Sequence, residues 1–422
     1  MSGLARIVVC VVMLLTAPGA VGTLCSCGDA VADTPPREDV ARAVSAWPVW
    51  GFNAARTRVG PNVGLPAGST PAEALWSKSE TVDQFGDLLE YPPSIAGGRA
   101  FYCTNGGGKG GSVIAVSLAD GRELWRYRLK GGGQFASQPA VAGGIVYVGT
   151  MPPRKGRGDP SYRPELLALR AGSTQPGGTL VWRRVLGRAV ESSPLVIGER
   201  LYFCTQRGTL YCFNRLKGTA LWSQPLEGKT TSSPASRDGR VIVSTYGGLV
   251  FAFDAKTGKR QWRSALPGKF YGTPAIYGNR VIVASLSNGR VYSLNARTGR
   301  MQWSYSTAQG LYASPAVCRG AIYLGSKFGG FWCLDAATGR PKWPKRKFGA
   351  PIYGSATVLG DTVYFSTFPA GGAKRGITFG VDAATGEVVW QFPDGCYSPV
   401  TATSNLILIT GHHTLYAFNP LT

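Results

Sequence analysis

The residues able to do chemistry in this chain are few and awkwardly placed. The two histidines are adjacent, His412-His413. Neighbouring residues of a strand point to opposite faces, so the pair is a poor metal clamp and leaves no separate base for a Ser or Cys nucleophile. The Gly106–Gly111 run, which contains Lys109, joins two apolar runs instead of opening a helix, so it reads as a hairpin and not as a phosphate cradle. Nine cysteines are present, none next to another. Cys212 and Cys333 recur at the position that Ala252 and Ser293 hold elsewhere, which points to small-residue packing, and Cys204 with Cys212 is the one pairing worth testing. Many acids, among them Asp120, Asp254, Asp335 and Asp382, stand in turns that already explain them, and no carboxylate stands out as catalytic. No metal site and no catalytic residue is expected.

The elements that would position any site come from an internal repeat. Tryptophans at 182, 222, 262, 303 and 343 are 40 or 41 residues apart, with further members at 76, 125 and 390. Ahead of them the text recurs, as in Asp254-Ala255-Lys256-Thr257-Gly258 before Trp262 and Asp382-Ala383-Ala384-Thr385-Gly386 before Trp390. Asp or Asn opens a turn by accepting backbone N–H groups, and Gly supplies the positive φ that closes it. Upstream lie two alternating apolar runs and a short Ser-Pro or Thr-Pro strand, as at Ser233-Pro234 and Thr273-Pro274. Four short strands per repeat without helices predict an all-β fold, an eight-bladed β-propeller of four-stranded antiparallel blades. Seven repeats are complete. The eighth lacks its last strand, which residues 72–79 with Trp76 would supply, so that the N-terminal strand closes the ring and removes an exposed edge.

Residues 1–33 read as an export signal, with Arg6 before the apolar run 7–15. Leu24-Cys25-Ser26-Cys27 resembles a lipobox that would lipidate Cys27, and Ala30-Val31-Ala32 resembles an ordinary cleavage site; the lipoprotein is preferred. Residues 34–70 form an N-terminal extension and 71–422 the propeller. The charge of +22, from 45 Lys and Arg against 23 Asp and Glu, is compatible with an anionic partner or with solvated turns. Export argues against nucleic acid.

The repeat Asp-Ala-x-Thr-Gly-x-x-x-Trp resembles the pyrroloquinoline-quinone (PQQ)-type propeller repeat from Trp76 to Phe418. That resemblance implies either a non-catalytic propeller, like the bacterial outer-membrane assembly lipoprotein, or more distantly a quinoprotein dehydrogenase. A dehydrogenase of this kind is expected to carry adjacent cysteines over the quinone, Ca²⁺ held by carboxylate and amide oxygens, and an Asp base. Neither PQQ nor Ca²⁺ is expected here. The leading expectation is an extracytoplasmic binding or scaffold propeller at the cell envelope, a monomer whose partner is an envelope protein, a peptide or an anionic polymer. The alternatives are a PQQ-dependent or other small-molecule oxidoreductase with a site in the channel, and an envelope polysaccharide binder or lyase with Tyr271 and Tyr312 as stacking platforms.

Topology selects one face. The long loops at 105–111, 151–164 and 368–376 follow the second strands of blades 1, 2 and 7 and should share a face with the entries to the first strands. They carry Lys109, Arg154, Lys155, Arg157, Arg163, Lys374 and Arg375. At the strand entries stand Phe135, Tyr271, Tyr312, Tyr353 and Tyr397, with Lys229 and Lys269 beside them. Aromatic faces next to cations suit a ligand groove.

Overall fold

The computed structural model describes residues 51–80, 89, 91–106, 110–153, 158–397 and 399–421. The export segment with Cys27, and the loop residues Lys109, Arg154, Lys155 and Arg157, lie outside the described residues. Among the described residues, thirty-two strands form eight separate four-stranded antiparallel sheets, each made of consecutive strands except the last. Blade 4 is typical: Ala235–Arg237, Arg240–Ser244, Leu249–Asp254 and Arg260–Ala265 run from the channel outward. In blade 8, Trp76–Ser79 pairs antiparallel with Thr414–Phe418, matching Trp76 to Ala417, so the N-terminal strand does close the ring.

The recurring motif couples each blade to the next. In the blade 4 turn, Asp254 Oδ1 accepts the N–H groups of Lys256 and Thr257 and the Thr257 hydroxyl. The turn so made delivers two groups to the tryptophan of the preceding blade. Trp222 Nε1 donates to the Ala255 carbonyl, and a Cβ on Gly258 would lie 2.6 Å from the Trp222 ring. The same pair of contacts joins Trp262 to Ala296 and Gly299, and Trp303 to Ala336 and Gly339. Blade 8 has no such turn, because its outer strand comes from the N-terminus, and Trp390 of blade 7 donates instead to the Pro66 carbonyl of the N-terminal extension.

Opposite each tryptophan the partner strand carries a small residue. Ala252 faces Trp262, Ser293 faces Trp303 and Cys212 faces Trp222, with a register shift immediately after each. Cys212 is therefore a packing residue. Cys204 lies opposite Leu210, not Cys212, and both thiols are free and buried, so the one disulfide considered from sequence does not form. Blade 6 departs from the pattern: its outer strand shrinks to Arg346–Lys347, because Pro341 and Pro344 have no N–H to give a ladder. The core lies between blades, as where Ile242, Val250 and Trp262 of blade 4 meet Ile276, Val283 and Leu294 of blade 5.

Candidate functional site: the closed channel and its mouth

The channel wall is made by the residues just before each first strand. Proline holds its predecessor extended, which turns the preceding hydroxyl residue toward the neighbouring blade. Ser193 Oγ accepts from the Gln138 N–H at 3.1 Å, Ser233 Oγ from Ser193 N–H at 2.9 Å, and Thr273 Oγ1 from Ser233 N–H at 3.1 Å. Ser314 and Ser355 continue the chain at 2.9 Å each. A girdle of hydroxyl-to-backbone bonds thus runs from blade 2 to blade 7, each bond contributing about 0.5–1.5 kcal/mol net. The sequence displayed the Ser-Pro repeat, but its role needed neighbouring blades to be visible.

Above the girdle lies a cavity of about 190 Å³ lined by Tyr271, Tyr312, Tyr353 and Tyr397, by girdle hydroxyls, and by Tyr91, Glu191 and Thr231. The tyrosines form an arc. Tyr271 and Tyr312 stack with centroids 3.9 Å apart, and edge-on contacts carry the series through Tyr353 and Phe368 to Tyr397. Because Tyr271 and Tyr312 each give a face to the other, no slot for a sugar ring exists between them. The Tyr271 hydroxyl reaches over blade 4 to donate to Glu191 Oε1 at 2.8 Å, and Gln206 Nε2 donates to Glu191 Oε2 at 3.0 Å. Burial, then Tyr91 and Glu191, push the Tyr271 phenol far above its ordinary pKa, so it stays protonated.

One residue expected at this mouth stands elsewhere. Phe135 is 3% exposed in the core between blades 1 and 2, at the position that Val190, Phe270 and Leu311 fill in other blades. Counted back from Pro139, the place that Tyr271 holds before Pro274 falls one residue on from Phe135, at Ala136. Lys229 and Lys269 are exposed near the rim but do not line the cavity. Glu191 was missed, although it occupies the place before Ser192-Ser193-Pro194 that Tyr271 occupies before Gly272-Thr273-Pro274.

Beneath the girdle the N-terminal extension closes the channel. Its backbone runs along the first strands of blades 4 to 7, where Ala54, Ala55, Thr57 and Arg58 carbonyls accept the N–H groups of Ser236, Ile276, Val317 and Val358. Arg56 and Arg58, both at φ 61° and both 1% exposed, turn inward. Arg56 donates to the carbonyls of Pro234, Ser193 and Pro194; Arg58 donates to Ala356, Ser355 and the Thr357 hydroxyl. Ser193 and Ser355 also line the cavity, so the guanidinium groups sit just below its floor. Burial lowers the pKa of both arginines, with Arg58 adding to the effect on Arg56.

The basic loops flank the mouth. Strand-entry and loop backbones pair directly, as between Gln134 and Met151 and between Phe368 and Pro351, which places the described parts of those loops on the tyrosine face. Arg163 and Lys374 are exposed there. Arg375 has a structural partner: its Nη1 lies 3.5 Å from Oδ2 of the fully buried Asp394, which also accepts from the Tyr416 hydroxyl and the His412 N–H.

The family profile described as outer membrane protein assembly factor BamB matches residues 70–163, 109–224, 206–315 and 287–420. The chain belongs to that family of PQQ-like repeat propellers. No curated protein matches the chain in sequence. Among solved structures, BamB from Moraxella catarrhalis is similar at 20% identity and TM-score 0.53, over 64% of this chain and 77% of that one. Quinohemoprotein alcohol dehydrogenase from Comamonas testosteroni is similar at 14% identity and TM-score 0.67, over 90% and 81%. A europium-containing methanol dehydrogenase gives 14% identity and TM-score 0.64, over 86% and 89%. At such identities these structures share the fold.

The donor set of the cavity lining does not fit the quinone and Ca²⁺ that a resemblance to quinoprotein dehydrogenases implies. Glu191 is the single carboxylate of the cavity lining, with no amide side chain in the lining beside it. Among the described residues no three His, Cys, Asp or Glu side chains gather as a metal site.

Proposed function

We propose that this chain is a non-catalytic extracytoplasmic binding propeller of the cell envelope, exported and anchored through lipid at Cys27. Its binding face is the tyrosine-lined mouth with the basic loops of blades 1, 2 and 7. The observation that carries this reading is the asymmetry of the channel. The base is sealed by Arg56 and Arg58, and the other end is open, aromatic and flanked by long loops. Membership of the BamB family and the export signal support an envelope setting.

A photocrosslinking residue placed at Lys374 on the loop face, and another at Lys256 on the opposite face, tests the assignment in cells. Discrete adducts from position 374 that disappear on charge reversal at Arg163 support it. Equal adducts from both faces, or none from 374, count against it. Stoichiometric retention of PQQ with Ca²⁺, together with dye-linked alcohol oxidation, would replace it with an oxidoreductase.

A further inference from the structure

We propose that the mouth of the channel recognises a cation, an organic ammonium or guanidinium group held between Glu191 and the tyrosine arc. Glu191 is half-buried in the cavity wall, and the donors that aim it, the Tyr271 hydroxyl and the Gln206 amide, are both neutral. Among the described residues no Lys, Arg or His pairs with it. Two neutral hydrogen bonds orient a carboxylate without cancelling its charge, and each oxygen keeps a lone-pair direction for a further donor. Burial strengthens the pull of such a charge on a cation that displaces water.

The surrounding chemistry agrees. Tyr91, Tyr271, Tyr312, Tyr353 and Tyr397 line the same cavity, and electron-rich ring faces and phenol oxygens stabilise a cation that has lost part of its hydration. A cavity of about 190 Å³ accepts a head group of a few heavy atoms, not a folded partner. An anion would find poorer donors, because the N–H groups of Ser193, Ser233, Thr273 and Ser314 already bind girdle hydroxyls. The guanidinium groups of Arg56 and Arg58 are directed to carbonyls below the floor. Their positive charge also sets the depth of the site: a cation rests at the level of Glu191, not at the base. A neutral sugar is disfavoured by the closed Tyr271–Tyr312 stack.

The head group could belong to a free amine or to a lysine or arginine side chain of a peptide. The inference rests on the binding reading above only in taking the mouth as the point of entry, and the loop-face surface can fail without it.

Titration of the full-length protein with tetramethylammonium, N-acetyl-lysine amide and N-acetyl-arginine amide, followed by intrinsic fluorescence, tests the site, with acetate and glucose as controls. At least one cation probe should saturate, and acetate and glucose should not. Preference for the capped amino acids identifies a peptide side chain; equal or better binding of tetramethylammonium identifies a small amine. Glu191→Gln should weaken the cation by about tenfold or more, and Tyr353→Leu by a smaller factor. The double charge reversal R163E/K374E should leave the affinity within about twofold, which separates this site from the loop surface. Failure of every cation probe to saturate the wild-type protein overturns the proposal whatever the variants do. So does undiminished binding in a folded Glu191→Gln variant, or a loss on loop charge reversal as large as that on Glu191→Gln.

Discussion

Gly299 offers a clean measure of what joins one blade to the next. Its φ of 71° is left-handed, and a Cβ there would lie 2.6 Å from the Trp262 ring and 2.6 Å from Ser264 Oγ. Neither neighbour can retreat cheaply, since Trp262 Nε1 is bonded to the Ala296 carbonyl at 3.0 Å and Ser264 Oγ to the Gly299 carbonyl at 2.6 Å. Gly239 has nearly the same backbone, φ 72°, with nothing within 4 Å of its added Cβ. Alanine at either position incurs the left-handed penalty of about 1–2 kcal/mol. Only Gly299→Ala also incurs overpacking, about 1–3 kcal/mol more. The expected losses are therefore about 2–5 kcal/mol for Gly299→Ala and about 1–2 kcal/mol for Gly239→Ala.

Equilibrium denaturation, followed by tryptophan fluorescence and far-ultraviolet circular dichroism, measures both losses as shifts in midpoint at constant slope. In a Trp262→Ala/Ser264→Ala background the cost of Gly299→Ala should fall to that of Gly239→Ala, because both obstructing groups are gone. Equal losses for the two glycine variants in the wild-type background, to within about 0.5 kcal/mol, would refute the claim that the motif's glycine is required by the preceding blade's tryptophan.

Three further outcomes are expected. Arg56→Ala or Arg58→Ala removes charged donors from buried carbonyls and should lower stability by about 1.5–3 kcal/mol each, with earlier proteolysis within residues 51–60; unchanged cleavage would show that the arginines do not hold the segment. Burial first, and His413 second, hold the His412 imidazole below its ordinary pKa, with Asp394 opposing. The stability contributed by neutral His412 is therefore complete above the unfolded value of about 6.5 and is lost as pH falls through the lower folded pKa. His412→Gln should flatten the decline in stability on acidification from neutrality, and an identical pH profile would reject this. Burial pushes the Cys212 thiol up to about 11 and the Cys333 thiol up to about 12. The native propeller should then show no fast-reacting thiol towards a disulfide reagent among its six described cysteines, all of which should react once unfolded.

The repeat made the fold legible because its signals are local. Asp254, Thr257 and Gly258 build one turn from neighbouring residues, and the period of the tryptophans counts the blades. Even the closure by Trp76 followed from a missing strand at one end and a spare one at the other. The binding mouth was only half legible. The tyrosine column showed itself through the Ser-Pro signals beside it, yet Phe135 was placed one residue out of register, since a strand entry without a regular repeat gives no local sign of which residue faces the channel.

What the amino-acid sequence by itself determined is the blade: turn, tryptophan, small residue opposite it, and the number of copies. Tertiary structure decided what lies at the centre. Glu191 and Tyr271 come from blades two apart, and their hydrogen bond exists because the small Thr231 of the blade between them lets the phenol reach across. Arg56 and Arg58 sit in a stretch with no period and no apolar pattern, and they are buried because eight first strands leave a channel whose carbonyls can take them. Contacts of that kind join residues 80 to nearly 300 positions apart, and only closure of the ring brings them within reach of a hydrogen bond.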